Sequence, residues 1–375
     1  MKVLFISHEA TRTGAPIALL QQLRHITACS DDIKPEVLLL DGGDMVDEFK
    51  ALCPTYKGWR DYTSMNRILR RLKVKRVAYP YLHLFSKGDV DCIYANTVAS
   101  FKAACHLKAK LGIPLIGHVH ESENLMFQHP WAPGLLPSFD AFVTVSELAA
   151  RNLTENYAIS PNRVAIQHPV SVWVDRFMKG DVDVCPYDFR EDALLVGLFC
   201  NETWFKSLDM VPGLVKLFRK QHPDVKCRFV IVGDFCEITR HRLDYELRLL
   251  GCQEDVIFAP VVDNPLCYHA RFDMFLLLSR EESFSLVAQE AALMETPIIG
   301  FLGVTGAAEW VRDDAGILVP YLDMEEIGHA ISRLALDPQL RKAYGQTAKQ
   351  RVMEMYTIDS RLEVVMSVIR KYGKQ

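Results

Sequence analysis

Phe275-Leu276-Leu277-Leu278-Ser279-Arg280-Glu281-Glu282-Ser283-Phe284-Ser285-Leu286-Val287-Ala288-Gln289-Glu290-Ala291 joins an apolar run, a polar loop and a helix-forming stretch. Unbroken apolar residues suit a strand buried on both faces, as in a parallel sheet. Ser283 or Ser285 can cap the helix that follows. Its first N–H groups and the positive end of its dipole then make an anion site suited to a diphosphate. Glu282 lies in the loop before the helix and Glu290 one to two turns inside it. One carboxylate can thus reach sugar hydroxyls above the phosphates while the other reaches a ribose. Taken alone, the segment also fits a capped amphipathic helix with two solvated glutamates.

Outward from this stretch, short apolar runs alternate with helical segments along the whole chain. Strands are expected at Lys2–Ser7, Glu36–Leu40, Cys92–Asn96, Pro114–His120 and Ala141–Val145, and a second series at Leu194–Phe199, Cys227–Val232, Val256–Ala259, Asp273–Ser279, Pro297–Gly300 and Gly316–Val319. Helices are expected at Pro16–Leu23, Ser100–Leu111, Ser146–Tyr157, Met210–Gln221, Ser285–Met294 and Glu325–Leu336, with two more, about Gln339–Glu354 and Ile358–Tyr372, at the end. Repeated strand-then-helix units predict doubly wound α/β domains. No such unit fits residues 168–192, so the chain is read as two Rossmann-like domains. Residues 1–169, with a C-terminal helix of about 357–375, form one; residues 170–356 form the other. Such domains bind ligands at the carboxyl ends of their strands, and two facing each other would create a cleft there.

Composition narrows the function. Two domains suit 375 residues, and 49% hydrophobic with 24% charged residues is what a soluble globular protein carries. A net charge of -4 excludes a dedicated basic nucleic-acid binder. The ten cysteines show neither zinc nor thioredoxin spacing, so they read as reduced thiols of a cytosolic enzyme. The apolar start Val3–Ile6 is too short for a signal peptide or a membrane span. G-x-G-x-x-G, G-x-x-x-x-G-K-[ST] and H-E-x-x-H are all absent, which argues against dinucleotide, P-loop and zincin chemistry. Asp89-Val90-Asp91 and Asp181-Val182-Asp183 imitate a metal motif but abut a strand and lie in the linker, so neither is assigned a metal.

With its flanks included, the opening stretch resembles the group 1 family of retaining glycosyltransferases, which have the two-Rossmann-domain GT-B fold. That family carries E-x-F-G-x-x-x-x-E-A. Glu282, Phe284, Glu290 and Ala291 match it, with Ser285 in place of the glycine. Pro297-Ile298-Ile299-Gly300, Gly306-Ala307-Ala308-Glu309, Asp314-Ala315-Gly316-Ile317-Leu318-Val319 and Val230-Ile231-Val232-Gly233 resemble further family segments in the same order. The resemblance is weaker in the first domain. Gly14-Ala15-Pro16 looks like the glycine-rich turn that lies against the donor, and Gly117-His118-Val119-His120-Glu121 like the strand end bearing a histidine near the reacting sugar. Alternation puts His118 and His120 on one face, and His120 is nearer the strand's end.

The resemblance implies transfer of a sugar from a nucleotide sugar to a glycan or lipid-linked acceptor with retention, in cell-surface polysaccharide or glycoconjugate synthesis. It implies catalytic roles for His120, Glu282 and Lys206, and donor contacts from Gly14, Asn201, Ser283, Phe284, Ser285 and Glu290. The C-terminal helix is expected to return to the first domain. No cofactor and no metal are required. Where the family has an arginine five positions before its lysine, this chain has Asn201, which lacks a charge and a forked donor. Arg280 is a candidate to compensate. That departure, and Ser285, leave open a catalytically silent nucleotide- or carbohydrate-binding homologue; an epimerase or a phosphorylase of the same fold is the other alternative.

Residues 57–76 hold eight basic residues and one acidic residue, Asp61. Arg67–Lys73 reads as a short basic amphipathic helix, followed by Tyr79, Tyr81 and Phe85. Basic charge beside aromatics fits an anionic membrane surface as well as a solvated helix face. The expected location is cytoplasmic, peripheral at the inner face of the membrane, with no nucleic-acid partner.

Overall fold

The computed structural model describes residues 1–58, 68, 71–73, 79–180, 182–183, 185–187, 189, 193–356 and 358–373. Most of the basic stretch 57–76 and its expected helix lie outside them. The chain divides into two compact units, Met1–Pro169 with Ile358–Gln375, and Val170–Thr357.

The first unit is a parallel sheet of seven strands: β1 (Lys2–Ser7), β2 (Lys34–Leu39), β3 (Thr55–Lys57), β4 (Cys92–Asn96), β5 (Leu115–Val119), β6 (Ala141–Thr144) and β7 (Val164–Ile166). Their order is β3-β2-β1-β4-β5-β6-β7. Central strands are buried on both faces, which is why they read as continuous apolar runs. Leu4, Ile6, Ile93 and Ala95 feed one core. Val3, Phe5, Cys92 and Tyr94 feed the other, with Leu19 and Leu23 of the helix Gly14–Cys29. Val365, Met366 and Ile369 of the final helix, Ile358–Tyr372, complete that second core. The returning helix is therefore part of the first unit's interior. Register sets Asn96 beside Ser7 on one side and His118 on the other, at the carboxyl edge of the sheet.

The second unit is a parallel sheet of six strands: β8 (Leu194–Phe199), β9 (Cys227–Val232), β10 (Val256–Ala259), β11 (Met274–Leu277), β12 (Ile298–Phe301) and β13 (Gly316–Val319). The order is β10-β9-β8-β11-β12-β13. Gly233 ends β9 where a Cβ would come within 2.3 Å of the Cys200 carbonyl oxygen, so only glycine fits.

Several expectations need correction. The three-residue strands β3 and β7 escape the sequence reading because they sit at the sheet's edges and carry too few residues to show a period. Residues 168–192 hold no strand among those described, but they do contain a helix, Val172–Met178, with the Ser171 hydroxyl accepting from the Trp173 N–H at 3.2 Å. The helix expected over 146–157 is α-helical only over Glu147–Arg151 and continues as a π-helical turn, Asn152–Asn156. There the Asn156 amide donates to the Asn152 side-chain oxygen four positions back, a side-chain pair along one face of the turn. The helices Val46–Leu52 and Glu237–Leu250 were not anticipated.

Candidate functional site

In the second unit the helix expected from the opening stretch spans Leu286–Leu293. Of the two candidate serines, Ser285 is the cap: its hydroxyl accepts from the Ala288 N–H at 3.3 Å. The Leu286 and Val287 N–H groups open this helix with no acceptor inside it. Ser283 lies half-buried in the loop. Phe284 is turned inward, its ring edge-on to Tyr356 with centroids 5.6 Å apart, so its side chain serves packing and only its backbone faces the loop.

Glu282 is held by its backbone. Its N–H donates to the Val304 carbonyl at 2.8 Å, and its carbonyl accepts from the Gly306 N–H at 3.1 Å. These bonds tie the first glutamate to the Gly306–Glu309 turn. Its carboxylate forms an ion pair with Lys206 and accepts from the Ser279 hydroxyl at 3.2 Å. Lys206 closes the short 3-10 turn Trp204–Lys206 that follows β8. Two sequence-predicted site residues 76 positions apart thus meet at the carboxyl ends of β8 and β11.

Asn201 is exposed, and its side-chain oxygen accepts from the Thr203 N–H and hydroxyl at 3.0 and 2.5 Å, closing a local turn. Arg280 does not stand in for the missing arginine. Its guanidinium forks onto both Asp209 oxygens at 2.8 Å, donates to the Trp204 carbonyl and lies over the Trp204 ring. Its own N–H donates to the Phe205 carbonyl. The contacts to Trp204 and Phe205 fasten the turn that carries Lys206, and the fork onto Asp209 anchors the guanidinium to the next turn, Leu208–Met210.

Glu290 is 8% exposed and accepts from the Ser171 hydroxyl at 2.7 Å, while the Ser171 N–H donates to Gln289. Burial pushes its carboxyl up to about 7, against the lowering effect of Ser171. The carboxylate is therefore poised near neutrality rather than freely solvated. A cavity of about 590 Å³ with no signal in the sequence lies at the ends of β9 and β10, lined by Gly233, Asp234, Phe235, Arg240, Phe258 and Pro260 among others. The Arg240 guanidinium lies 3.8 Å from the Phe258 ring centroid there.

In the first unit the candidate residues gather where β1, β4 and β5 end. The His120 Nε2 lies 3.0 Å from the Asn96 side-chain oxygen, and the Asn96 amide nitrogen donates to the Ala15 carbonyl at 3.0 Å. Asn96 thereby joins the histidine to the Gly14–Pro16 turn. A Cβ at Gly14 would meet nothing of the protein within 4 Å, so no neighbour in the fold demands glycine there. Burial, with His8 nearby, pushes the His120 imidazole down to about 3. His118 is fully buried, bonded to the Tyr94 hydroxyl at 2.9 Å with its ring centroid 4.0 Å from that of His120 and tilted to it, and burial holds it well below the ordinary histidine value. Glu121 accepts from the Val98 and His120 N–H groups, and burial raises it to about 7.

Thr97 adopts φ of 81°, a strained conformation for a β-branched residue, and its hydroxyl meets the His8 ring at 3.3 Å. His8, Glu9, Asn96 and Thr97 carry no sequence motif. Strand register places Asn96, and His8, Glu9 and Thr97 follow directly from the ends of β1 and β4. Asp89 and Asp91 each accept a backbone N–H, from Ser86 and Lys2, and so serve the fold. Among the described residues no cluster of metal-ligating side chains occurs, and no helix is long and apolar enough to cross a membrane.

Comparison with known proteins follows this geometry. The family described as glycosyl transferases group 1 matches residues 204–351, and glycosyltransferase family 4 matches residues 32–170. N-acetyl-alpha-D-glucosaminyl L-malate synthase of Bacillus anthracis is 30% identical over 40% of this chain and 39% of its own length. D-inositol 3-phosphate glycosyltransferase of Actinosynnema mirum is 26% identical over 70% of this chain and 68% of its own. The chain thus spans well under half of the first of these relatives and about two thirds of the second. A glycosyltransferase of Rickettsia africae superposes with a TM-score of 0.77 at 16% identity, covering 100% of this chain and 99% of that one. HepE of Anabaena, in complex with UDP and glucose, superposes at 0.74 and 16% identity, covering 99% and 100%. The two matches together span most of both units: residues 204–351 belong to the group 1 family of glycosyltransferases and residues 32–170 to glycosyltransferase family 4, in a chain with the GT-B fold of two Rossmann-like domains.

Proposed function

We propose that this protein transfers a sugar from a nucleotide sugar to a hydroxyl of a glycan or lipid-linked acceptor, with retention at the anomeric carbon. The observation that carries the reading is the meeting of Lys206 and Glu282 beside the Ser285-capped helix. A cation, a carboxylate and free helix N–H groups at one place suit a sugar diphosphate. HepE, which has the same fold, is described with UDP and glucose, so a UDP-sugar is the donor proposed.

In the proposed reaction the bond between the anomeric carbon and the diphosphate oxygen breaks, and the acceptor oxygen bonds to that carbon on the same face. The acceptor proton passes to the leaving diphosphate. Lys206 and the Leu286 and Val287 N–H groups neutralise the departing charge, so the chain's own groups supply stabilisation and no metal is required. Glu282 orients sugar hydroxyls, Glu290 the ribose, and the cavity at Gly233 and Arg240 receives the base. Asn201, Ser283, Phe284, Ser285 and Gly14 lie against the donor, and His120 meets the reacting sugar. Arg280 acts at one remove, through the Lys206 turn. The basic stretch 57–76 is proposed to meet an anionic membrane surface, where a lipid-linked acceptor would reside; exposed Ile68 and Leu72 suit that role.

Calorimetric titration with UDP tests the donor assignment. Lys206→Ala is expected to weaken binding by about tenfold or more, the scale of a charge-assisted phosphate contact. Unchanged affinity would contradict the site. Sedimentation with vesicles of rising anionic lipid content tests the surface, with binding independent of lipid charge counting against it.

A further inference from the structure

His120 has two ring nitrogens, and which one carries the proton decides what it can recognise. The Ala15 carbonyl can only accept, so the Asn96 atom facing it must be the amide nitrogen. The opposite atom of that amide, the oxygen, then faces His120 Nε2 at 3.0 Å and can only accept in turn. The hydrogen between them therefore belongs to Nε2. The Ala15 backbone carbonyl fixes the amide orientation, and the amide orientation fixes the tautomer.

We propose that Asn96 is a positioning residue that holds the His120 proton on Nε2, so that bare Nδ1 is the atom presented to substrate. Burial keeps the ring neutral well below pH 7, so Nδ1 offers a lone pair rather than a hydrogen. Nδ1 has no hydrogen-bond partner among the described residues, and His120 retains partial exposure. Glu121 accepts the His120 backbone N–H, which fixes the residue from its other side. An acceptor nitrogen pairs with a hydroxyl or amide hydrogen and repels a phosphate or carboxylate oxygen. His120 thus selects a hydroxyl-bearing part of the substrate, which rests on the sugar-transfer reading above. Asn96 is fully buried and joins the histidine to the Gly14–Pro16 turn, so one side chain sets both.

Long-range proton–nitrogen NMR on the unliganded wild-type protein at neutral pH tests this, with the His120 signal identified by its loss in His120→Gln. One neutral form protonated at Nε2 is expected, and a proton on Nδ1 would overturn the proposal. Asn96→Asp keeps the shape and the Nε2 acceptor but adds a charge facing the ring. It should raise the His120 titration midpoint by at least about one unit, and an unmoved midpoint would overturn the contact. His118, His8 and Glu121 surround the ring in both proteins and so cancel from the comparison. Asn96→Ala should let the second tautomer appear and lower transfer on the order of 10²-fold. The spectra are read without substrate. Absence of transfer in wild-type protein showing the expected tautomer would therefore fault the functional reading and leave the Asn96 assignment standing.

Discussion

Lys206 and Glu282 satisfy each other in the unliganded protein, and a sugar diphosphate would have to part them. Removing either should cost transfer more than it costs folding. Lys206→Ala and Glu282→Ala are each predicted to lower the transfer rate by about 100-fold, the scale of one lost contact to developing charge. Steady-state kinetics with a UDP-sugar checks this, with the melting temperature as a control for folding. Glu290 makes a separate prediction. Its carboxyl ionises near 4.5 in the unfolded chain and near 7 in the fold. Between those values rising pH strips the proton from the unfolded chain first, so the native state loses stability as pH climbs, by up to about 3 kcal/mol. Below pH 4.5 both states hold the proton and the penalty is absent; above 7 it is complete. Glu290→Gln removes it. The variant should therefore gain on the wild type in urea denaturation from pH 4.5 to 7 and hold a constant difference above, whereas a difference independent of pH would contradict burial of an ionising carboxyl.

Among elements, the turn Trp204–Lys206 and the helix Ile358–Tyr372 bear most on the site and on the first unit's core. Arg280 holds the turn through the Trp204 carbonyl, its guanidinium fixed by a planar fork onto Asp209 that lysine cannot reproduce. Arg280→Lys is predicted to raise the donor KM by about tenfold while shifting stability by less than about 1 kcal/mol, since Asp209 is mostly exposed. The final helix buries Ile369 completely in the core it forms with β6, β7 and the helix Gly14–Cys29. Ile369→Ala should cost about 2–5 kcal/mol of the first unit's stability, read by denaturant titration. The sequence made the strand-loop-helix at 275–291 legible because buried runs, capping serines and a fixed glutamate spacing all lie within one local segment. The helix Glu237–Leu250 was harder, because only Leu243 and Leu247 face inward along a mostly charged surface. Asn96 was not legible at all. Its partners, Ala15 and His120, lie 81 and 24 positions away and are brought to it by strand register.

At the scale of the whole molecule, the chain is near neutral on average yet concentrates eight basic residues within residues 57–76. Its two units carry different parts of the chemistry. The second holds the Lys206–Glu282 pair, the capped helix and the Gly233 cavity; the first holds the histidine and the strained Thr97 turn. That division was readable from the repeated strand-helix pattern and the motif-poor segment 168–192, whereas the donor's base and the acceptor have no local signature. Retaining sugar transfer is tested by incubating the full chain with a panel of UDP-sugars and hydroxyl acceptors and following the products by proton NMR. Release of UDP coupled to a glycoside with the donor's anomeric configuration is predicted. No glycoside from any donor, an inverted product, or turnover that requires free phosphate would contradict it.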